Sequence, residues 1–302
     1  MTGATGFIGR ALVPALRRDG HTLVAWTRSE SRARTVLGPE VEAVRASGGP
    51  NQMAAAVEGC DAVVNLAGEP ILGRRWTAAR RAALRESRVG LTAGLVRAVA
   101  SASARPRVLV SGSAVGYYGD RGDEILAEDS PRGTGFLADL CEEWEEEANR
   151  AGALGVRVVT VRTGVVVGPG GGALVQMLPA FRLGLGGPIG SGRQYLPWVH
   201  VRDVAAIVVV ALADDRLRGP VNGVGPNPAT GGDFARAIGR ALGRPAVLPV
   251  PSLALRAIFG QASEVLLSSQ RVVPAALERI GFRFALPNLD AALTDSLGRP
   301  ES

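Results

Sequence analysis

Three glycines near the start of the chain have the spacing needed to bind a dinucleotide. Gly3, Gly6 and Gly9 occupy the first, fourth and seventh positions of the run Thr2-Gly-Ala-Thr-Gly-Phe-Ile-Gly9. In such a run the first glycine permits a tight turn, the second lets the backbone approach a pyrophosphate, and the third lets a helix pack closely on a sheet. Free N–H groups at the start of that helix would bind the phosphates. An amphipathic helical pattern follows at once, which favours this interpretation over an ordinary glycine-rich turn.

The strand that should precede such a glycine run is almost missing, because only Met1 comes before it. That strand normally lies at the centre of the sheet, between two neighbours. We therefore expect the first strand to be truncated, and a start codon placed a few residues too late would explain the truncation.

Strand and helix patterns alternate along the first half of the chain. Short apolar runs predict strands, long amphipathic stretches predict helices between them, and the acidic segment 139–147 is expected to form a solvated helix face. This alternation indicates an α/β fold, a Rossmann-type doubly wound parallel sheet. We assign residues 1–168 to this dinucleotide-binding domain and residues 169–302 to a smaller C-terminal substrate lobe. The predicted strands are 22–27, 61–67, 107–111 and 156–162, and the longest predicted helices are 74–101 and 134–151.

Composition narrows the function classes. The net charge is +6, but the basic residues are scattered, so we expect no nucleic-acid partner. No signal peptide or long apolar run is present, which predicts a cytoplasmic protein without a membrane partner. Cys60 and Cys141 have no ligand-spaced partners, so no metal is expected. The oligomeric state stays open.

The chain contains no lysine, so all 34 basic residues are arginine. Arginine does not give up its proton near neutral pH. Any mechanism that requires a lysine is therefore excluded.

Several motifs together resemble the extended short-chain dehydrogenase/reductases, and more closely their epimerase-like SDR39U1-type group. The resemblance extends to a C-terminal module, DUF1731-like, over residues of about 253–300. It implies a nicotinamide dinucleotide cofactor, whereas the substrates of the group are largely unknown. The motifs that carry it are Thr2–Gly9, Asn65-Leu-Ala-Gly-Glu69, Glu86-Ser-Arg88, Ser111-Gly-Ser113, Ala114-Val-Gly-Tyr-Tyr-Gly119, Arg162-Thr-Gly-Val-Val166, Phe181–Pro188, Trp198–Asp203 and Ser269–Pro274.

The resemblance implies a set of cofactor-binding positions. Arg28, at the end of the second strand, offers a fork for a 2′-phosphate where an acidic residue would suit a free 2′-hydroxyl. The expected cofactor is therefore NADP(H), unless Arg28 is a solvated surface charge. Arg88 matches a cofactor contact, or else forms an ion pair on its helix. The complete set is Gly3, Gly6, Phe7, Ile8 and Gly9 for the pyrophosphate, Thr27 and Arg28 for the ribose, Leu66, Ala67, Gly68 and Glu69 on the adenosine side, Arg88, and Thr163, Gly164 and Val165 near the nicotinamide.

The catalytic positions match the superfamily only in part. Ser113 matches its serine, but its tyrosine and lysine positions hold Phe136 and Leu140. Tyr117 or Tyr118, just after Ser113, is a candidate replacement acid, and a neighbouring arginine would depress its pKa. The alternative is that both tyrosines pack against the cofactor.

Two functions remain open at this point. The first is an NADP(H)-dependent oxidoreductase or epimerase-like enzyme acting on an unknown small carbonyl or hydroxyl compound. The second is a non-catalytic NADP(H)-binding sensor or interaction protein. Asp203 is expected to be a helix N-cap, and Gln270 is a candidate to close over the pocket.

Overall fold

Parallel strands form the central sheet of the computed structural model, which describes residues 1–46 and 49–298. Their order is β2-β1, a gap held by Thr2, then β3-β4-β6-β10. This is the predicted doubly wound sheet. The strands of the described residues are β1 Val24–Thr27, β2 Glu42–Arg45, β3 Ala62–Asn65, β4 Val108–Ala114, β5 Ile125–Leu126, β6 Arg157–Thr163, β7 Val165–Val167, β8 Tyr195–Leu196, β9 Trp198–His200, β10 Gly219–Gly223, β11 Ala229–Thr230 and β12 Arg271–Val272.

Helices cover both faces of this sheet. On one face α1 packs against α8 over Leu12, Val110 and Ile207, and on the other α3, α5 and α6 bury Leu109 and Val99. The helices are α1 Phe7–Arg18, α2 Glu30–Leu37, α3 Gly49–Val57, α4 Ala78–Arg85, α5 Leu91–Ser101, α6 Phe136–Asn149, α7 Leu174–Arg182, α8 Val201–Ala213, α9 Gly231–Leu242, α10 Ser252–Phe259, α11 Glu264–Leu267, α12 Ala275–Arg279 and α13 Leu289–Leu297.

The position of the first strand contains only Met1 and Thr2. Thr2 bridges in parallel to Trp26 on one side and Asn65 on the other. Behind it lies a cavity of about 1180 Å³ between the amino ends of β1 and β3, with Leu16, Val24 and Val64 in its wall. A slot therefore lies in the middle of the sheet, between β1 and β3. We call this cavity the strand slot.

The Met1 amine lies at the end of the strand slot and donates a hydrogen bond of 2.7 Å to the carbonyl oxygen of Val24. Burial lowers the pKa of this amine from 8.0 to about 6. The unfolded chain therefore binds a proton between pH 8 and 6 that the folded chain does not bind, so stability falls as the pH falls through this window. A pKa that differs by one between the folded and unfolded chains corresponds to about 1.4 kcal/mol of stability.

We expect the free energy of unfolding to be lower at pH 6 than at pH 8 by about 2 kcal/mol, measured by urea denaturation. The control is the same chain with an acetylated N-terminus, which carries no titrating amine. Burial also lowers the pKa of His200, and acetylation leaves that contribution in place. An equal pH dependence in both proteins would show that the amine is hydrated in the folded state.

A second group of elements follows β6 and forms a smaller lobe. β7 pairs with β9, β8 pairs with β11, and α7, α9 and α13 bury Phe181, Phe234 and Leu293. The chain returns to the main sheet within this region, because α8 packs on α1 and β10 pairs with β6. The lobe is therefore built from two separate segments of the chain, one before α8 and one after β10. Residues 299–302 of the predicted lobe lie outside the described residues.

The predicted helix 74–101 is interrupted by a π-helical turn over Glu86–Gly90, between α4 and α5. A π turn widens the helix by one residue and is often found at functional sites. Here it places Arg88 in a buried position. Local propensity gives no signal for such a turn.

Asp203 is not the N-cap of α8, contrary to the sequence expectation. His200 caps the helix by accepting a hydrogen bond from the Arg202 N–H through its side chain. The Asp203 carboxylate instead accepts from the backbone N–H groups of Ala285 and Leu286, at 2.6 and 3.1 Å. It therefore ties the C-terminal segment to the main sheet.

Candidate functional site

The glycine turn has the close approach that the sequence predicts. Gly3 has a φ of +68°, and a Cβ there would lie 2.6 Å from the Leu66 carbonyl carbon. A Cβ on Gly9 would overlap the Gly3 carbonyl oxygen. Gly6 begins α1 without any side-chain cap. The first N–H groups of α1 therefore remain available to an anion at this end of the helix.

Phe7 and Ile8 form the first turn of α1. The Phe7 ring fills the space beside a second glycine loop, where a Cβ on Gly171 would overlap it. Ile8 is half-buried in the same turn. The loop before α1 is therefore held between the sheet and residues 168–172, which leaves its backbone fixed.

The adenosine side of the predicted site is charged. Thr27 ends β1, and Arg28 follows with a side chain that is 91% exposed. The Arg28 Nη1 atom lies 3.6 Å from Glu69 Oε1. Ser29 caps α2 directly beyond it. An exposed guanidinium next to the start of a helix is suited to binding a phosphate group.

The segment Leu66–Glu69 lies beyond β3, facing the glycine turn. Thr2 Oγ1 accepts from the Ala67 N–H at 3.1 Å, and Asn65 links the same strand end to Thr92. Glu69 is held through its carboxylate by Arg80 at 3.3 Å.

Arg88 lies under this segment rather than on the helix surface. Its Nη2 atom donates to the Glu69 carbonyl oxygen at 2.9 Å, and a Cβ on Gly68 would lie 3.1 Å from its guanidinium carbon. Burial lowers the pKa of Arg88, whose guanidinium lies 5.4 Å from the Trp144 ring. Arg88 therefore supports the segment Leu66–Glu69 from below, and its contact with a cofactor stays a prediction.

Ser113, near the carboxyl end of β4, belongs to a buried ionic network. Its Oγ donates a hydrogen bond of 2.6 Å to Glu145 Oε1. Arg162 binds the same carboxylate through both oxygens, at 2.8 Å each. Burial opposes the charge on Arg162, but the hydrogen bonds and charge of Glu145 outweigh it and raise the pKa of the guanidinium.

The two tyrosines after Ser113 have different environments. Tyr118 is fully buried, and its hydroxyl donates to Asn222 Oδ1 at 2.7 Å while accepting from Arg162 at 3.0 Å. Burial raises the pKa of Tyr118 to about 12, because it outweighs the effect of Arg162. The expected depression of its pKa is therefore wrong for Tyr118. Tyr117 is half-buried, with the Arg162 guanidinium 3.5 Å from its ring centre.

Phe136 and Leu140, which the resemblance assigns to the tyrosine and lysine positions, both make apolar contacts. Phe136 packs edge-on against Trp76 at 5.2 Å between ring centres. Leu140 is 1% exposed in the same cluster. Neither side chain can donate a proton.

Thr163, Gly164 and Val165 lie at the carboxyl end of β6 and the start of β7. A Cβ on Gly164 would lie 2.6 Å from the Pro197 carbonyl oxygen, so this position requires glycine. Their proximity to a nicotinamide stays a prediction, as do the roles of the other cofactor positions. Gln270 closes over the loop after Ser113 by donating to the carbonyl oxygens of Val115 and Gly119.

Sequence reasoning misses Glu145 and Arg162. The acidic segment 139–147 is predicted to form a solvated face, but Glu145 is 7% exposed. Helical spacing carries a signal, since Cys141 and Ala148, four residues before and three after Glu145, are both buried. A carboxylate on the apolar stripe of a helix requires a partner, and Arg162 on β6 provides it.

Among residues 1–46 and 49–298, no three His, Cys, Asp or Glu side chains lie close enough together to hold a metal ion. Within the same ranges, no helix combines the length and the apolar character required to cross a bilayer.

Comparison with known proteins gives two family matches. The profile of the NAD dependent epimerase/dehydratase family matches residues 1–222, and that of a domain of unknown function, DUF1731, matches residues 250–296. The epimerase family protein SDR39U1 of Bos taurus is 43% identical over 298 residues, which are 97% of each chain. The SDR39U1 homologue of Arabidopsis thaliana, described as chloroplastic, is 41% identical over 97% of this chain and 84% of its own length.

Several solved structures also resemble this chain. The human epimerase family protein SDR39U1, crystallised with NADPH, superposes with a TM-score of 0.86 at 39% identity, over 97% of both chains. A nucleoside-diphosphate sugar epimerase from Corynebacterium glutamicum gives a TM-score of 0.77 at 35% identity, over 98% of this chain and 57% of that one. UDP-N-acetylglucosamine 4-epimerase from Bacillus cereus, at 19% identity and a TM-score of 0.75, shares the fold.

Proposed function

The chain belongs to the NAD dependent epimerase/dehydratase family, and from this premise we propose that it binds NADP(H) and acts as an oxidoreductase or epimerase-like enzyme. The substrate class is a small carbonyl or hydroxyl compound. The observation that carries the proposal is the uncapped start of α1 behind the tight turn at Gly3, with Arg28 at the end of the neighbouring strand.

The residues present fit the dinucleotide. The close contacts of Gly3 and Gly9 leave no room for side chains and bring the backbone next to the pyrophosphate position. Arg28 and the N-terminus of α2 would hold a 2′-phosphate. The human SDR39U1 structure contains NADPH, whereas some more distant neighbours contain NAD. When bound, such a cofactor supplies or accepts a hydride.

Ser113 and Tyr117 are the side chains proposed to contact the reacting oxygen. Ser113 is 5% exposed and lies near the carboxyl end of β4, at the sheet edge where ligands bind in this fold. Tyr117 is close by on the following turn, with Arg162 against its ring. Tyr118, with its hydroxyl bonded to Asn222 and Arg162, would hold this turn in place.

The test is NADPH oxidation, and in a parallel assay NADP+ reduction, in the presence of a pooled metabolite extract, followed at the nicotinamide absorbance. Extract-dependent turnover in either direction, absent in a Gly6→Asp variant, would support an enzyme. The aspartate places a negative charge at the pyrophosphate position, so the variant should not bind the cofactor. Loss of oxidation in Tyr117→Phe but not in Tyr118→Phe would support the assigned roles.

Replacing Arg28 by alanine is expected to weaken NADPH binding by roughly 10- to 100-fold, because one charge-assisted pair with the 2′-phosphate is lost. NADH binding should change little, because NADH has no 2′-phosphate. Calorimetric titration of both cofactors measures the ratio of their dissociation constants. The matched control is Arg105→Ala, which removes an exposed arginine in the loop before β4, at the opposite end of the sheet. Equal weakening of both cofactors by Arg28→Ala would contradict the role.

A second candidate function is NADP(H) binding without turnover, as a sensor or interaction protein. Two observations favour it: the Tyr118 hydroxyl is fully engaged, and the proton of Ser113 is directed at Glu145. Tight NADPH binding without oxidation in any extract would support this candidate over the enzyme.

A further inference from the structure

Glu145 is a buried carboxylate with a complete set of partners. Arg162 donates to both of its oxygens, and Ser113 adds a third hydrogen bond at Oε1. The side chains of Glu145 and Arg162 are 8% and 4% exposed. A carboxylate that faces guanidinium donors at both oxygens can only accept hydrogen bonds.

The direction of the Ser113 hydrogen bond follows from this. A serine hydroxyl carries one proton and two lone pairs. Because Glu145 can only accept, the Ser113 proton must point towards it. The Ser113 oxygen then has only lone pairs to offer any other partner. A carbonyl oxygen would find no donor at Ser113, whereas a substrate hydroxyl would find an acceptor.

Ser111 lies on the same strand and the same face as Ser113 and has a structural role only. It is 0% exposed and accepts from the Asn65 side chain at 3.4 Å, inside a closed network with Thr92. Ser113 lies two residues closer to the ligand-binding edge of the sheet and keeps some exposure. Among the described residues, the one hydrogen bond of its side-chain hydroxyl goes to Glu145.

We propose that Glu145 is a positioning residue that fixes Ser113 as a hydrogen-bond acceptor, and that the site therefore takes the hydroxyl form of its substrate. Arg162 donates to both oxygens of Glu145, which leaves them as acceptors for the Ser113 hydroxyl. The statement about Ser113 concerns the protein alone, whereas the statement about substrate rests on the proposed function. Ser113 would then accept a hydrogen bond from the substrate, whereas a serine that binds a carbonyl oxygen donates one.

The first experiment is neutron diffraction from deuterium-exchanged crystals of the unmodified protein. We expect deuterium on Ser113 Oγ along the line to Glu145 Oε1, with no deuterium on either carboxylate oxygen. Deuterium on Glu145, or a Ser113 deuterium that points away from it, would overturn the proposal. This measurement needs neither cofactor nor turnover, so failure of the proposed function would leave its result unchanged.

The second experiment uses infrared spectroscopy in solution, with Glu145→Gln to identify the carboxylate bands. Ser113→Ala removes the third donor while leaving Arg162 in place, so the Glu145 bands should shift relative to the unmodified protein. The matched control is Glu146→Gln, which removes an exposed carboxylate one residue along the same helix. Unchanged Glu145 bands in Ser113→Ala would show that the serine does not donate to it.

Glu145→Gln removes the charge that Arg162 faces, so a second variant covers the case in which it does not fold. Glu145→Asp then identifies the bands instead, since it keeps the charge and shortens the side chain. If the Glu145 bands identified in this way do not shift in Ser113→Ala, the positioning role is overturned. Loss of NADPH binding alone would contradict the proposed function but not the direction of the hydrogen bond from Ser113 to Glu145.

Discussion

Joining the residues Met-Val-Ile-Val to the Met1 amine is expected to raise the melting temperature by about 10 °C. The added residues would fill the strand slot and pair with the backbones of β1 and β3 in parallel. Each buried aliphatic side chain contributes about 2 kcal/mol, and ordering each residue costs about 1–2 kcal/mol. Ladder hydrogen bonds add to the gain, and so does removal of the amine, which must give up its proton on folding. The net stabilisation is about 3–5 kcal/mol. For a chain of this size, 1 kcal/mol corresponds to roughly 2–4 °C.

The control for this prediction is an extension of the same length, Met-Gly-Ser-Gly. It also removes the amine from its buried position but offers no apolar side chains and little preference for a strand. Differential scanning calorimetry compares the two proteins with the unmodified chain. Equal melting temperatures for both extensions would mean that the slot is not completed by an apolar strand.

Replacing Arg162 by methionine is expected to lower the free energy of unfolding by about 3–5 kcal/mol. The change leaves the Glu145 carboxylate buried without a cation, and it also removes donors to the Tyr118 hydroxyl and the Glu128 carbonyl oxygen. Breaking a buried ion pair from one side usually costs this much, because the remaining charge stays uncompensated. Urea denaturation followed by tryptophan fluorescence measures the difference.

The double variant Arg162→Met with Glu145→Leu tests the cause of this loss. It removes both charges, so a large part of the lost stability should return. Arg150→Met, which removes an exposed arginine, serves as the control for the substitution itself. A double variant as unstable as Arg162→Met would show that the loss comes from the Tyr118 and Glu128 contacts instead.

The features that can be predicted from the sequence depend on spacing and on local geometry. The glycine run requires a turn and a helix at fixed offsets, and both are present at Gly3 and α1. The slot between β1 and β3 is predicted from the same motif, because only Met1 and Thr2 stand where the motif requires a central strand.

The features that cannot be predicted depend on contacts between distant residues. Glu145 and Arg162 are 17 residues apart, and each looks like an ordinary surface charge in its own segment. Arg88 lies in a π turn and is buried under Gly68, a contact across 20 residues of chain that local patterns do not encode. The short strand β2 is not predicted, since half of its four residues are exposed and it pairs only with β1.

The C-terminal segment closes the loops around the candidate site, and this has a consequence for how the protein is made. Gln270 binds the carbonyl oxygens after Ser113 across 155 residues of chain, and β12 pairs with β5. Contacts at such separation form late, because a long loop must close first. During synthesis the turn that contains Tyr117 and Tyr118 must wait for this segment to leave the ribosome. A nascent protein cut short before Gln270 would therefore carry the glycine turn but not a finished candidate site.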